Sequence, residues 1–347
     1  MALFMESINP FLAVTCSKTV LGGMTDVMLV TPVQGRVKYS NPSLVSVFWG
    51  AIALGSLIGC APREQTEMYV NKARDSLKVC LEGGSSEVQQ ALHLMTNLEL
   101  MRDNLGAAAQ YNAIAASWVV TDTTAAEAEA DIDPAEVQVM FQSCVLGTAT
   151  GEKIQSAKMR EKAKDEAKVS LDILKQKGGL QARKDQALRT ALKATGCIYD
   201  DAQDSSDDIC FAYQLLVTAC EAIEKNERMR KCGVAYVPAC LYGGVIALLW
   251  DNYVSGIQLL EAGIAALRST PGITPFPHVL HAIHAAALVS LWIGRHDLCQ
   301  QMRDIHNKHF HGGSIGSIKY VCSVMPYLMT PLLLPCRLSS TRLKVCM

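Results

Sequence analysis

Apolar positions along this chain recur at intervals of three and four residues, the period of one helix face, with no alternating runs of the kind a sheet needs. The strongest instance lies between Asn41 and Trp118. Ser43 to Gly59 is uncharged and apolar on most faces, with Asn41 or Ser43 placed to cap it and Pro42 tolerated in its first turn. After a turn at Ala61-Pro62-Arg63, a second helix reaches to about Leu81, carrying Met68, Ala73, Leu77 and Leu81 with charges between them. Gly83-Gly84 closes it. Ser85-Ser86-Glu87 opens a third helix lined by Val88, Ala91, Leu92, Met95, Leu98 and Met101. Past Arg102-Asp103-Asn104, the series Ala107, Ala108, Tyr111, Ile114, Ala115 and Trp118 lines a fourth. The two turns stand about 41 residues apart, a separation found in helical repeat proteins.

The plan returns further on. Tyr236 to Trp250 and Tyr253 to Leu267 form a hairpin across Asp251-Asn252, and Val279 to Ile293 and Asp297 to His309 form another across Gly294-Arg295-His296. Their turns lie about 44 residues apart. Between the two sets, Pro134 starts a helix holding Val137, Met140, Phe141 and Val145. Residues 151–193 then carry twelve Lys or Arg against six Asp or Glu, a pattern that predicts solvated amphipathic helices. The acidic run Asp200, Asp201, Asp204, Asp207 and Asp208 reads as a loop capping a helix from Ile209 to about Lys225. The expected fold is all-α, an α-solenoid of stacked helical hairpins of tetratricopeptide-like plan. Its expected domains are an irregular segment over 1–40, the repeat domain over 41–324 with an acidic connection near 121–133, and a poorly ordered tail over 325–347, where Pro326, Pro331 and Pro335 interrupt the leucines.

Composition narrows the function. Half the residues are apolar, only 6% are aromatic and the formal charge is −1, so the chain as a whole has no electrostatic case for coating nucleic acid or an anionic membrane. The basic stretch 151–193 contains no aromatic residue to stack on bases. Ser43 to Ala61 is long enough to cross a bilayer and holds a Gly55/Gly59 pair, and Gly233 to Trp250 has a similar character. Their content of Ser, Gly and Ala suits inner helices of a stack covered on every side. A membrane-associated protein with a span near 43–61 is the alternative. The 13 cysteines include no CxxC pair, and no secretory leader precedes them, so reduced thiols in nucleus or cytoplasm are expected.

Little invites chemistry. No P-loop or dinucleotide fingerprint occurs, and the acidic run lacks the Gly and terminal Glu of a calcium loop. Seven of the eight histidines fall between 278 and 311. His281 and His284 share a helix face, and with His306 or His309 from the next helix they form the candidate metal set; a metal-dependent enzyme on this cluster is the third reading. The HExxH pattern is absent and acidic partners are few, so structural histidines, no metal, no cofactor and no enzymatic activity are expected.

Tyr69, Ala73 and Arg74, then Gln90-Ala91-Leu92, then Ala108 to Tyr111, resemble the regulatory middle-homology domain of fungal-type transcription factors over about 80 residues. Tetratricopeptide-like repeats share these positions. The resemblance implies an all-α regulatory domain that binds an effector, dimerises or contacts the transcription machinery. That family's zinc cluster of closely spaced cysteines has no counterpart, since Cys16 stands alone in the first 59 residues. The expectation is a protein-binding regulator, a homodimer among its assemblies, that does not itself contact DNA.

Overall fold

The computed structural model describes residues 1–12, 14–29, 39–81, 85–122, 134–150, 153–176, 178–199, 206–249, 252–273 and 276–309. Among them every regular element is helical, and no strand occurs. The chain divides into two compact units, residues 1–142 and 143–347. Residues 123–133 of the acidic connection, residues 200–205 of the acidic loop and the 325–347 tail lie outside the described residues.

The first unit holds α1 (Ala2–Ser7), α2 (Asn9–Leu12), α3 (Ser17–Leu29), α4 (Pro42–Ile58), α5 (Arg63–Cys80), α6 (Ser86–Met101), α7 (Leu105–Asp122) and the first half of α8 (Pro134–Thr150). Helix α4 is its centre, packed by α1, α3, α5 and α6. Its start is fixed twice. The Asn41 side chain accepts the Leu44 N–H at 3.2 Å, and the Asp26 carboxylate of α3 accepts the Ser40 and Asn41 N–H groups at 3.2 and 2.8 Å. Its uncharged sequence matches its position: Val45, Val47, Ala51, Ala53 and Leu54 are all fully buried. No helix among the described residues is long and apolar enough to cross a membrane.

The segment expected to be irregular carries α1 to α3. Phe4, Ile8, Phe11 and Leu12 recur at helical spacing and are buried, and Phe11 meets Phe141 of α8 edge-on at 5.7 Å. Asn9 locks the following bend, donating to the Thr15 carbonyl at 2.8 Å and accepting the Thr15 N–H at 3.3 Å. The Gly22-Gly23 pair lets α3 approach α4. A Cβ on Gly23 would stand 2.1 Å from the Leu44 carbonyl oxygen, a backbone atom that cannot step aside. Gly23→Ala should therefore shift α3 and cost about 1–3 kcal/mol, read as a lower urea midpoint with unchanged slope.

The second unit holds α9 (Lys153–Lys175), α10 (Gln181–Tyr199), α11 (Ser206–Glu224), α12 (Glu227–Lys231), α13 (Gly233–Leu249), α14 (Tyr253–Ser269), a 3₁₀ turn (Pro271–Ile273), α15 (Pro277–Trp292) and α16 (His296–His309). Helices α9, α10 and α11 pack mutually, and α11 joins α13. The α13 and α14 backbones meet at Gly244 and Gly256, where a Cβ on Gly256 would fall 2.5 Å from Leu248 Cγ and 3.1 Å from the Gly244 oxygen. Leu241, Val245 and Leu248 of α13 and Leu260, Ile264 and Leu267 of α14 are buried at the α13–α14 pair.

Candidate functional site

Helices α13 to α16 form two hairpins. Arg268 donates to Gln301 at 2.6 Å and Arg295 reaches Glu261 at 3.5 Å, so residues of α14 meet residues 33 and 34 positions later, in α16 and in the turn that leads into it. A constant offset of that kind means that α14 and α16 run parallel. Their hairpin partners α13 and α15, packed on each other, run the opposite way. Arg295 also forks onto Asp297 at 2.8 and 2.7 Å, which opens α16 and holds the Asp297 carboxyl down at about 2.

The candidate metal set falls on this second hairpin. The His284 and His306 rings meet between α15 and α16, centroids 5.1 Å apart and tilted by 52°. Asn307 Oδ1 lies 3.4 Å from His306 Nδ1. His281 and His309 are helical in their backbones, but their side chains, like that of His278 and the whole of His311, lie outside the described residues. Among the described residues no group of three or more His, Cys, Asp or Glu is placed to hold a metal.

The same hairpins expose apolar side chains at one end. Trp292 is 62% and Leu291 50% exposed at the end of α15, and Tyr253 and Val254 stand exposed at the start of α14. Because α14 and α15 run antiparallel, both termini lie at the turn end of the pairs. Sequence periodicity passed over these residues, since an apolar residue in the last turn of an apolar helix gives no sign of which way it faces.

In the first unit, the residues that carry the family resemblance have structural work. Tyr69 stacks on Trp49 at 5.8 Å, with the Lys72 ammonium 4.3 Å from the Trp49 ring centre. Ala73 is fully buried and its carbonyl accepts the Ser46 hydroxyl at 3.1 Å. Arg74 pairs with Glu99, a carboxylate with 0% exposure. Glu99 also accepts two bonds from Arg102 at 3.1 Å and one from the Asn104 amide at 2.9 Å, and Arg102 continues to Glu67. Burial works against the Arg74 charge, but the bond to Glu99, the Glu99 charge and Tyr111 together outweigh it and hold the guanidinium above its ordinary value. The network joins α5, α6 and the turn into α7, where Asp103 takes a left-handed φ of 59°. Elsewhere on α6, the His93 Nδ1–H donates to Gln142 Oε1 at 3.0 Å, and Gln142 returns a bond to the His93 carbonyl at 3.1 Å, tying α6 to α8.

In the second unit, Cys220, Cys240 and Lys193 are withdrawn from water. Burial pushes the Cys220 thiol far up and the Cys240 thiol up to about 12, where both stay protonated and inert. Lys193 of α10, read from sequence as part of a solvated face, is 3% exposed; burial, with the Arg189 charge one turn before it, lowers its ammonium to about 7. The run Gly312-Gly313-Ser314-Ile315-Gly316 spells Gly-x-Ser-x-Gly but lies outside the described residues. No protein-family model, curated protein or solved structure matches the chain.

Proposed function

We propose that this chain is a helical-hairpin repeat protein of tetratricopeptide-like plan that works by holding a protein partner, without chemistry of its own. The packing order supports the repeat reading. In the first unit α4 packs on α6 and each is flanked by its own hairpin partner, α5 or α7; in the second, α13 packs on α15, flanked by α14 and α16. First helices stacked on first helices are what a hairpin repeat requires.

The observation that carries the partner reading is the exposed Leu291–Trp292 pair. A Trp that leaves most of its surface in water forgoes a large hydrophobic gain, and Trp is the side chain most enriched where protein interfaces concentrate their energy. The likeness at Tyr69–Arg74 and Gln90–Leu92 directs the search toward transcription regulators in the nucleus or cytoplasm, and a second copy of the chain is one such partner. The test replaces position 292 with a photoreactive amino acid in cells and compares adducts with those of a chain that also carries Leu291→Asp. Adducts to a defined partner that vanish with Leu291→Asp, helicity unchanged, support the reading. Adducts unaffected by that change, or none, overturn it.

A further inference from the structure

We propose that a buried water molecule bridges helices α6 and α8, held between the side-chain amides of Asn97 and Gln138. The inference stands apart from the partner reading and rests on hydrogen-bond accounting inside the first unit. The His93 main-chain carbonyl accepts from the Asn97 amide of its own helix at 2.8 Å and from the Gln142 amide of α8 at 3.1 Å. Two amides that share one acceptor lie within about 6 Å of each other, so Asn97 and Gln142 stand side by side where α6 meets α8. Gln142 is complete, because its oxygen accepts from the His93 ring at 3.0 Å. Gln138 lies one turn before it, on the same face of α8 and about 6 Å along the axis.

The hydrogen-bonding capacity that remains suits one water. Asn97 and Gln138 are each 1% exposed. Among the described residues, Asn97 Oδ1 and both polar atoms of the Gln138 amide have no hydrogen-bond partner. A buried amide without partners is costly to keep in a fold, and buried polar side chains are bonded either to protein or to ordered water. What is left over is an acceptor on α6 and a donor with an acceptor on α8. Water both donates and accepts, so one molecule can donate to Asn97 Oδ1 and accept from Gln138 Nε2, which gives it the two protein partners a buried water needs. The open groups are neutral amides, so they call for a neutral molecule and not an ion. Val137, Val139, Met140 and Phe141, which flank Gln138 along α8, are buried and apolar. The water therefore exchanges only when α8 opens from its neighbours, and it stays far longer than surface hydration does.

The experiment measures oxygen-17 magnetic relaxation dispersion of water in solutions of the purified full chain and of its Gln138→Leu variant, a signal that counts long-lived internal waters. The expected result is a dispersion smaller by about one water in the variant, with helicity by circular dichroism unchanged. A control, Gln65→Leu, removes an exposed amide that donates to the Tyr69 hydroxyl at 3.0 Å and should leave the dispersion as it is. Equal dispersion from the wild-type and folded Gln138→Leu chains, or an equal loss in the control, would overturn the site. If Gln138→Leu does not fold, a crystal structure of the wild-type chain decides the question. An ordered water within about 3.2 Å of both Asn97 Oδ1 and Gln138 Nε2 supports the bridge. No water there, or a direct bond between the two amides, overturns it.

Discussion

Glu99→Ala should destabilise the protein by about 3 kcal/mol or more, seen as a lower midpoint in urea denaturation followed by circular dichroism. The substitution removes an anion with 0% exposure that neutralises Arg74 and Arg102 and accepts the Asn104 amide. Removing one member of a buried charged set typically costs about 3–5 kcal/mol, because the remaining charges lose their partner but not their burial. The low end of that range applies because both guanidinium side chains keep some access to water, at 27% and 19% exposure. Glu99→Gln keeps an acceptor oxygen and should recover part of the loss. Replacing the Arg74–Glu99 pair together, Glu99→Leu with Arg74→Met, should cost less than Glu99→Ala alone, since Arg102 keeps Glu67 and apolar residues of similar volume replace a buried ion pair at little net cost. If the double substitution is the worse of the two, the network contributes net stability beyond neutralising itself.

Lys193→Met should do the opposite and stabilise the fold, most strongly at and below neutral pH. Burial lowers the Lys193 ammonium from 10.5 to about 7, so the unfolded chain binds its proton more tightly than the folded one. The sign follows from linkage. Between about pH 7 and 10.5 the unfolded state holds more protons, so stability rises with pH across that window. Below pH 7 the full penalty of a buried charge is present. A shift from 10.5 to about 7 corresponds to on the order of 4 kcal/mol at neutral pH. Met keeps the length and removes the charge. The measurement is the thermal midpoint of both proteins at pH 6.5, 8 and 9.5. The wild-type curve should climb with pH relative to the variant and the gap should narrow toward pH 9.5. A gap independent of pH would show that packing, not the proton, separates them.

The helices themselves are largely local and were readable from the chain. Asn41-Pro42 marks the start of α4, Ser85 accepts the Val88 N–H at the start of α6, and Asn252 accepts the Ser255 N–H at the start of α14. Each cap forms within three residues, so no knowledge of the rest of the fold is needed to foresee it. The segment expected to be irregular over 1–40 carries three helices for a related reason. Asn9, Pro10 and Gly22-Gly23 are breakers by local propensity, yet the burial of Phe4, Ile8 and Phe11 and the close crossing at Gly23 outweigh that propensity. Lys193 was misread because a charged residue in a basic, amphipathic stretch is solvated unless a neighbouring helix covers it. Whether it is covered depends on how α10 packs against neighbouring helices, which the local charge pattern does not encode.

The candidate site divides in the same way. The i, i+3 spacing of His281 with His284, and of His306 with His309, is a property of the sequence, and so is their helical setting. That His284 meets His306, and with it the register of the whole seam, was decided by the packing of α15 on α16. The sequence alone determined an all-α chain and most of its helix ends, because capping and periodicity act over one or two turns. Only the tertiary structure decided that Glu99 is buried among arginines, that Trp292 faces water and that two histidines share a seam, because each depends on contacts between residues on separate helices that no local pattern encodes.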